Sequence, residues 1–177
     1  MEGLDDLALT NIARFLEPED IVRLSRTCRR MHSLMPRVVL LNEEWFGEDF
    51  GIDGPKGPCC PELYFDGPEL PGGVKKLSLS VTWQGQGWGN RKGELFLKLM
   101  RPVGTEQPVE VAEHRELFGI AEHYEKTPQI VITAHPVVTQ AKKGDFYRFM
   151  RNAGGLGGQK LKVKNFRVVA TVCKVVN

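Results

Sequence analysis

The chain has 177 residues, 41% of them hydrophobic and 26% charged, with a net charge of only +2. That composition supports one compact domain, or a small module attached to one, and excludes disordered and fibrous chains. No stretch approaches the roughly 18 consecutive apolar residues of a membrane helix, and the acidic start Met1-Glu2-Gly3-Leu4-Asp5-Asp6 is unlike a signal peptide. A cytoplasmic or nuclear protein without membrane attachment is therefore expected. The cysteines Cys28, Cys59, Cys60 and Cys173 form no Cys-x-x-Cys pair, so neither a disulfide scaffold nor a zinc or redox motif is expected.

Charge divides the chain. Residues 1–73 hold 7 basic and 14 acidic side chains, residues 74–177 hold 17 and 8, so the two parts carry about −7 and +9. Such asymmetry suggests two units with different partners. In the first unit Leu4, Leu7, Ala8, Ile12, Phe15 and Leu16 follow the three-and-four spacing of one helical face. Pro18 stops that helix at Glu17, and Glu19 and Asp20 supply the acidic first turn of a second helix. Ile21, Leu24, Cys28 and Met31 line the second helix, with Cys28 read as a small buried apolar residue. Pro36 bounds it, and Val38 to Trp45 allows a further short helix. About 45 residues of such helices cannot bury their apolar stripes among themselves, so they need a partner surface, on this chain or on another.

These residues resemble an F-box. Leu4-Asp5, Leu9, Ile12, Phe15-Leu16, Asp20-Ile21, Leu24, Cys28-Arg29 and Met31 stand at the separations of that family's pattern. The likeness covers residues 4 to about 45 and departs from the family at Asp5, Leu7 and Met31. It implies docking to the Skp-type adaptor of a cullin-RING ubiquitin ligase, through Leu4, Leu7, Leu9, Ile12, Leu16, Ile21 and Leu24. The other reading of the same helices is a structural cap on a lectin-like or peptide-binding sandwich.

Residues 46–73 contain Pro55, Pro58, Pro61, Pro68 and Pro71 and no sustained periodicity, which reads as an ordered connector anchored by Phe46, Phe50, Leu63, Tyr64 and Phe65. From Val74 the period becomes two. Leu77, Leu79, Val81 and Trp83 alternate with polar residues, and Leu95 to Met100, Ile130 to Thr133, Phe146 to Met150, Leu161 to Phe166 and Val168 to Val175 continue the pattern. A short helix is expected near Val111 to Tyr124. The expectation is a segregated α+β chain, with an F-box at 1–45, a connector at 46–73 and an antiparallel β-sandwich of jelly-roll type at 74–177.

The segment Trp83-Gln84-Gly85-Gln86-Gly87-Trp88-Gly89-Asn90-Arg91-Lys92-Gly93 joins two of these strands. Its glycines permit positive backbone angles, and Trp88, Asn90, Arg91 and Lys92 offer an aromatic plate with donors beside it, equipment for a sugar or peptide site. Trp88 reads either as such a platform or as a plug of the core. The run Ala153-Gly154-Gly155-Leu156-Gly157-Gly158 lacks the following helix and Gly-Lys-Ser/Thr of a phosphate loop and reads as a long turn, placed beside the first loop. Residues Trp83 to Val172 resemble an F-box-associated or galactose-binding-like sandwich, a family in which some members bind glycans on client proteins. His32, His114, His123 and His135 sit at no metal-ligand spacing and no Gly-x-Ser-x-Gly elbow exists, so no catalysis, metal or cofactor is expected. Basic residues are diluted over many strands, which argues against nucleic acid as a partner. The partners implied are the adaptor with its ligase, and a client protein whose recognition by glycan, peptide or phosphate stays open.

Overall fold

The computed structural model describes residues 5–54, 60–155 and 158–176. Helix α1 (Asp6–Ala13) begins at Asp5, whose carboxylate accepts the Leu7 N–H at 2.7 Å, so the acidic residue that departs from the family pattern is the N-cap. Helix α2 (Pro18–Ser25) starts on Pro18 with Glu19 and Asp20 in its first turn. It ends before Cys28, which becomes the N-cap of a separate helix α3 (Arg29–Leu34). That break corrects the reading of Cys28, which is exposed because it no longer shares a helical face with Ile21 and Leu24. Ala13, Ile21 and Met35 form a small core of this helical head, with Leu16, Leu24, Met31, Leu34 and Val38 against it, and Arg30 pairs with Asp6 to tie α3 to α1.

The chain then enters the sandwich earlier than expected. Arg37–Phe46 is strand β1, not a helix, because Leu41, Glu43 and Trp45 turn inward while Leu40, Asn42, Glu44 and Phe46 turn out. The connector likewise contributes β2 (Phe50–Asp53) and β3 (Glu62–Asp66), with Phe50, Tyr64 and Phe65 packed on the core. Further strands are β4 (Val74–Gly85), β5 (Glu94–Val103), β6 (Glu106–His114), β7 (Gln129–Ile132), β8 (Phe146–Asn152) and β9 (Lys160–Val176), with helix α4 (Pro136–Thr139) before β8. Val111 to Tyr124 holds the end of β6 and turns in place of the expected helix. One sheet runs β1-β9-β4-β7 with β2 also on β9, and the other runs β3-β8-β5-β6, all pairs antiparallel. This is a segregated α+β chain whose larger part is an antiparallel β-sandwich of jelly-roll type. Among the described residues no helix is long and apolar enough to cross a membrane.

Between the sheets lie Leu77, Leu79, Val81 and Trp83 of β4, Leu95, Leu97 and Leu99 of β5, Tyr147 and Phe149 of β8, and Val163, Phe166 and Val168 of β9. Phe149 meets Phe166 edge-on at 5.3 Å and stacks on Phe65 at 4.6 Å, the offset and tilted geometries that aromatic quadrupoles favour. The buried Tyr147 hydroxyl donates to Val137 O at 2.8 Å, which fixes α4 on the core. Asp145, also buried, accepts both Arg101 Nε and Nη2 at 2.8 Å and the Lys142 N–H at 2.9 Å, so its charge is fully met.

His135 caps α4 by accepting the Val137 N–H on Nδ1, and its ring stacks on His114 at 4.2 Å. Burial, and then the neighbouring His135, hold His114 below its ordinary pKa of 6.5. A His whose folded value is depressed stabilises the fold above the unfolded value and loses that contribution as pH falls through it. The urea midpoint should therefore drop between pH 7.5 and about 5.5, and His114→Phe should flatten the drop; equal slopes in both proteins would contradict the assignment.

Candidate docking and recognition surfaces

The helical head presents apolar side chains that its own core does not use. Leu7 is 67% exposed, Ile12 45% and Phe15 88%. Of the other residues named for docking, Leu9 and Ile21 are buried and Leu16 and Leu24 are half-buried against the head's core, while Leu4 lies outside the described residues. On α1 the buried face runs through Leu9 and Ala13, and Leu7, Ile12 and Phe15 of the expected stripe face outward instead. Phe15, just past the end of α1, is the most exposed of them, and spacing alone did not distinguish it from its neighbours. The head is held on the sandwich by packing of α2 on β1 and β9 and by an ion pair from Lys75 to Glu19. That hydrogen bond holds the Glu19 carboxyl below its ordinary range and raises Lys75. Both side chains are about half exposed, so the pair orients the head more than it stabilises it.

At the opposite end, strand parity decides between the two tryptophans of the β4–β5 connection. Trp83 continues the inward set Leu77, Leu79 and Val81 and is 3% exposed, packed edge-on against Phe118 at 5.7 Å. Trp88, beyond the strand's end, is 79% exposed. Gly85 passes so close to the backbone that a Cβ there would lie 2.9 Å from Ala121 O. Only Gly89 of this loop takes a positive φ, +78°, so the other glycines serve close approach or turn geometry without that freedom. Gln84 Nε2 donates to His123 O at 2.7 Å, Gln86 Nε2 donates to Asn90 O at 2.6 Å, and His123 Nδ1 donates to Gln86 O at 2.6 Å. These amides are spent on bracing the loop. Arg91 is paired with Glu122, whose carboxyl that contact holds below its ordinary range.

What remains outward is Trp88 with Asn90 and Lys92, flanked by the Arg91–Glu122 pair. The second glycine run lies against this loop, as a Cβ on Gly154 (φ +92°) would sit 2.6 Å from Lys92 Cβ; Leu156 and Gly157 fall outside the described residues. The surface is an aromatic plate with an amide, an ammonium and a paired guanidinium beside it. Sequence reasoning missed Glu122 as the partner of Arg91, since 31 residues separate them. Among the described residues no group of three or more His, Cys, Asp or Glu side chains is placed to hold a metal ion.

A helical head on an antiparallel sandwich, with exposed apolar side chains at one end and a braced aromatic loop at the other, is the frame in which the known likenesses fall. Residues 1–42 match the F-box domain model, and the chain carries an F-box domain there. No curated protein matches the chain. Among solved structures, that of the infectious bursal disease virus Gx strain aligns with a TM-score of 0.50 at 9% identity over 77% of this chain, which spans only 32% of the viral one. A CBM4 structure aligns at 0.41 with 11% identity over 69% of this chain and 83% of its own. TmCBM61 in complex with β-1,4-galactotriose aligns at 0.30 with 18% identity, over 73% and 68%. The viral likeness is one of fold alone, the sandwich.

The two tryptophans give a direct test. Trp83→Ala should cost about 3–5 kcal/mol of folding stability, as loss of a buried indole requires, and Trp88→Ala less than about 0.5 kcal/mol. Denaturant melts check both, and a large loss for Trp88→Ala would put that side chain in the core.

Proposed function

We propose that this protein is a substrate-recognition adaptor of an SCF-type cullin-RING ubiquitin ligase, with no reaction of its own. Its F-box head docks on the Skp-type adaptor, and the far loop of the sandwich, around Trp88, Asn90, Arg91 and Lys92, captures the client. The observation that carries the docking half is the exposure of Leu7, Ile12 and Phe15 on the head that matches the F-box model. Helices serving only as a cap would bury such side chains against the sandwich; these three stay exposed, and burial of apolar side chains by another chain is what helix-in-groove recognition supplies. The client half rests on geometry: loops held by a rigid sandwich, at the end remote from the docking helices, with one unburied tryptophan able to stack on a sugar ring or a client side chain. An adaptor of this kind belongs in cytosol or nucleus, where the ligase works.

Leu7→Ala with Ile12→Ala should weaken binding of the purified Skp-type adaptor by about 3 kcal/mol while leaving the thermal melt of the full chain in place. Adaptor binding equal to wild type in a folded double variant would contradict the docking reading. On the client side, Trp88→Ala should abolish capture on a glycan array or from a client library, and capture that survives it would move the site elsewhere.

A further inference from the structure

Where the head meets the sandwich, a groove of about 460 Å³ lies beside the end of α1 and the last residues of β9. Arg14, Phe15 and Glu17 line it from the head, and Lys143, Lys174 and Val175 from the sandwich. The three cations come from three separate segments: the end of α1, the loop after α4, and β9. All three are exposed, and among the described residues none of them makes an ion pair. Elsewhere on and around the head Arg23 is matched by Asp20, Arg30 by Asp6 and Lys75 by Glu19, while Arg26, Arg29 and Arg37 make no ion pair among the described residues and do not line this groove. Here one carboxylate, Glu17, faces three positive charges.

The groove is built on a stiff floor. A Cβ on Gly72 would collide with Cys173 O at 1.7 Å, and the Cys173 N–H donates to Gly73 O at 2.8 Å, so the backbones of the two segments are in direct contact. Convergent like charges along a concave wall focus a positive potential, and that potential favours an anionic occupant over any neutral one. Phe15, 88% exposed at the mouth, adds an apolar anchor that a free anion would not use. Charge and apolar area together fit an acidic stretch of polypeptide with an aliphatic or aromatic side chain.

We propose that this groove receives an acidic segment of the adaptor that covers α1, its carboxylates on Arg14, Lys143 and Lys174 and an apolar side chain on Phe15. The proposal rests on the docking reading and deepens it: the sandwich supplies two of the contacts that hold the partner of its own head. A partner gripped from both units also fixes the angle at which the far loop is presented.

Calorimetric titration of the purified Skp-type adaptor into the full chain tests this at low and high salt. For the double variant Lys143→Glu with Lys174→Glu, affinity at low salt should fall about tenfold or more, and most of the wild-type salt dependence should vanish. Lys143→Gln with Lys174→Gln should lose less, and it supplies the readout should the charge reversal fail to fold. Affinity and salt dependence unchanged in both variants, with Leu7→Ala and Ile12→Ala still weakening binding, would overturn the groove and leave the docking reading standing. A wild-type chain that binds no adaptor at either salt would overturn both.

Discussion

Strand β9 is the constraint on which the rest depends. It runs 17 residues and pairs with β1 along one part of its length, with β2 along another, and with β4 from Leu161 to Val172. Asn165 sits within it at φ 52°, and there the ladder to β4 shifts register between Ser80 and Thr82. The extra residue lets Lys160, Lys162 and Lys164 on one side of the bulge and Arg167 on the other all face solvent, while Leu161, Val163, Phe166, Val168 and Val172 stay in the core. The Asn165 N–H, freed from the ladder, donates to Asp49 at 2.9 Å and so pins the β1–β2 turn to the same strand. Without this one strand the N-terminal segment would have no sheet to join.

Because β9 and β4 run side by side from one end of the sandwich to the other, they also set the separation of the two surfaces. Val74, where β4 begins, lies beside Lys75 and Glu19 at the head, and Gly85, where it ends, opens the Trp88 loop. At about 3.3 Å per residue the 12 residues of β4 hold the two ends roughly 36 Å apart. Paired backbone on both sides of β4 makes that distance rigid. On the proposed function, the head and the far loop can then be occupied together, as an adaptor between a ligase and its client requires.

The strands from Val74 onward were legible because half-buried strands impose alternation: Leu77, Leu79, Val81 and Trp83 announce their own face, and the same parity separates Trp83 from Trp88. The strand Arg37–Phe46 was not legible. Val38-Val39-Leu40-Leu41 is a run of four apolar residues, and on an edge strand with Leu40 left 62% exposed the alternation is blurred into something a helix can also satisfy. Within the head, helical spacing marked a stripe on α1 through Leu7, Ile12 and Phe15, but the face that α1 buries runs through Leu9 and Ala13, a choice made by how the three short helices pack together. The basic groove left no local signal at all, as Arg14, Lys143 and Lys174 are brought together by the fold across 160 residues of sequence.

Hydrogen exchange of the full chain, alone and with the purified Skp-type adaptor, tests the central claim that the two ends act separately. The account predicts new protection across α1 to α3 and at the neighbouring segments around residues 142–144 and 173–175, with residues 85–93 exchanging as in the free protein. Protection centred on residues 85–93, or none on α1, would contradict it.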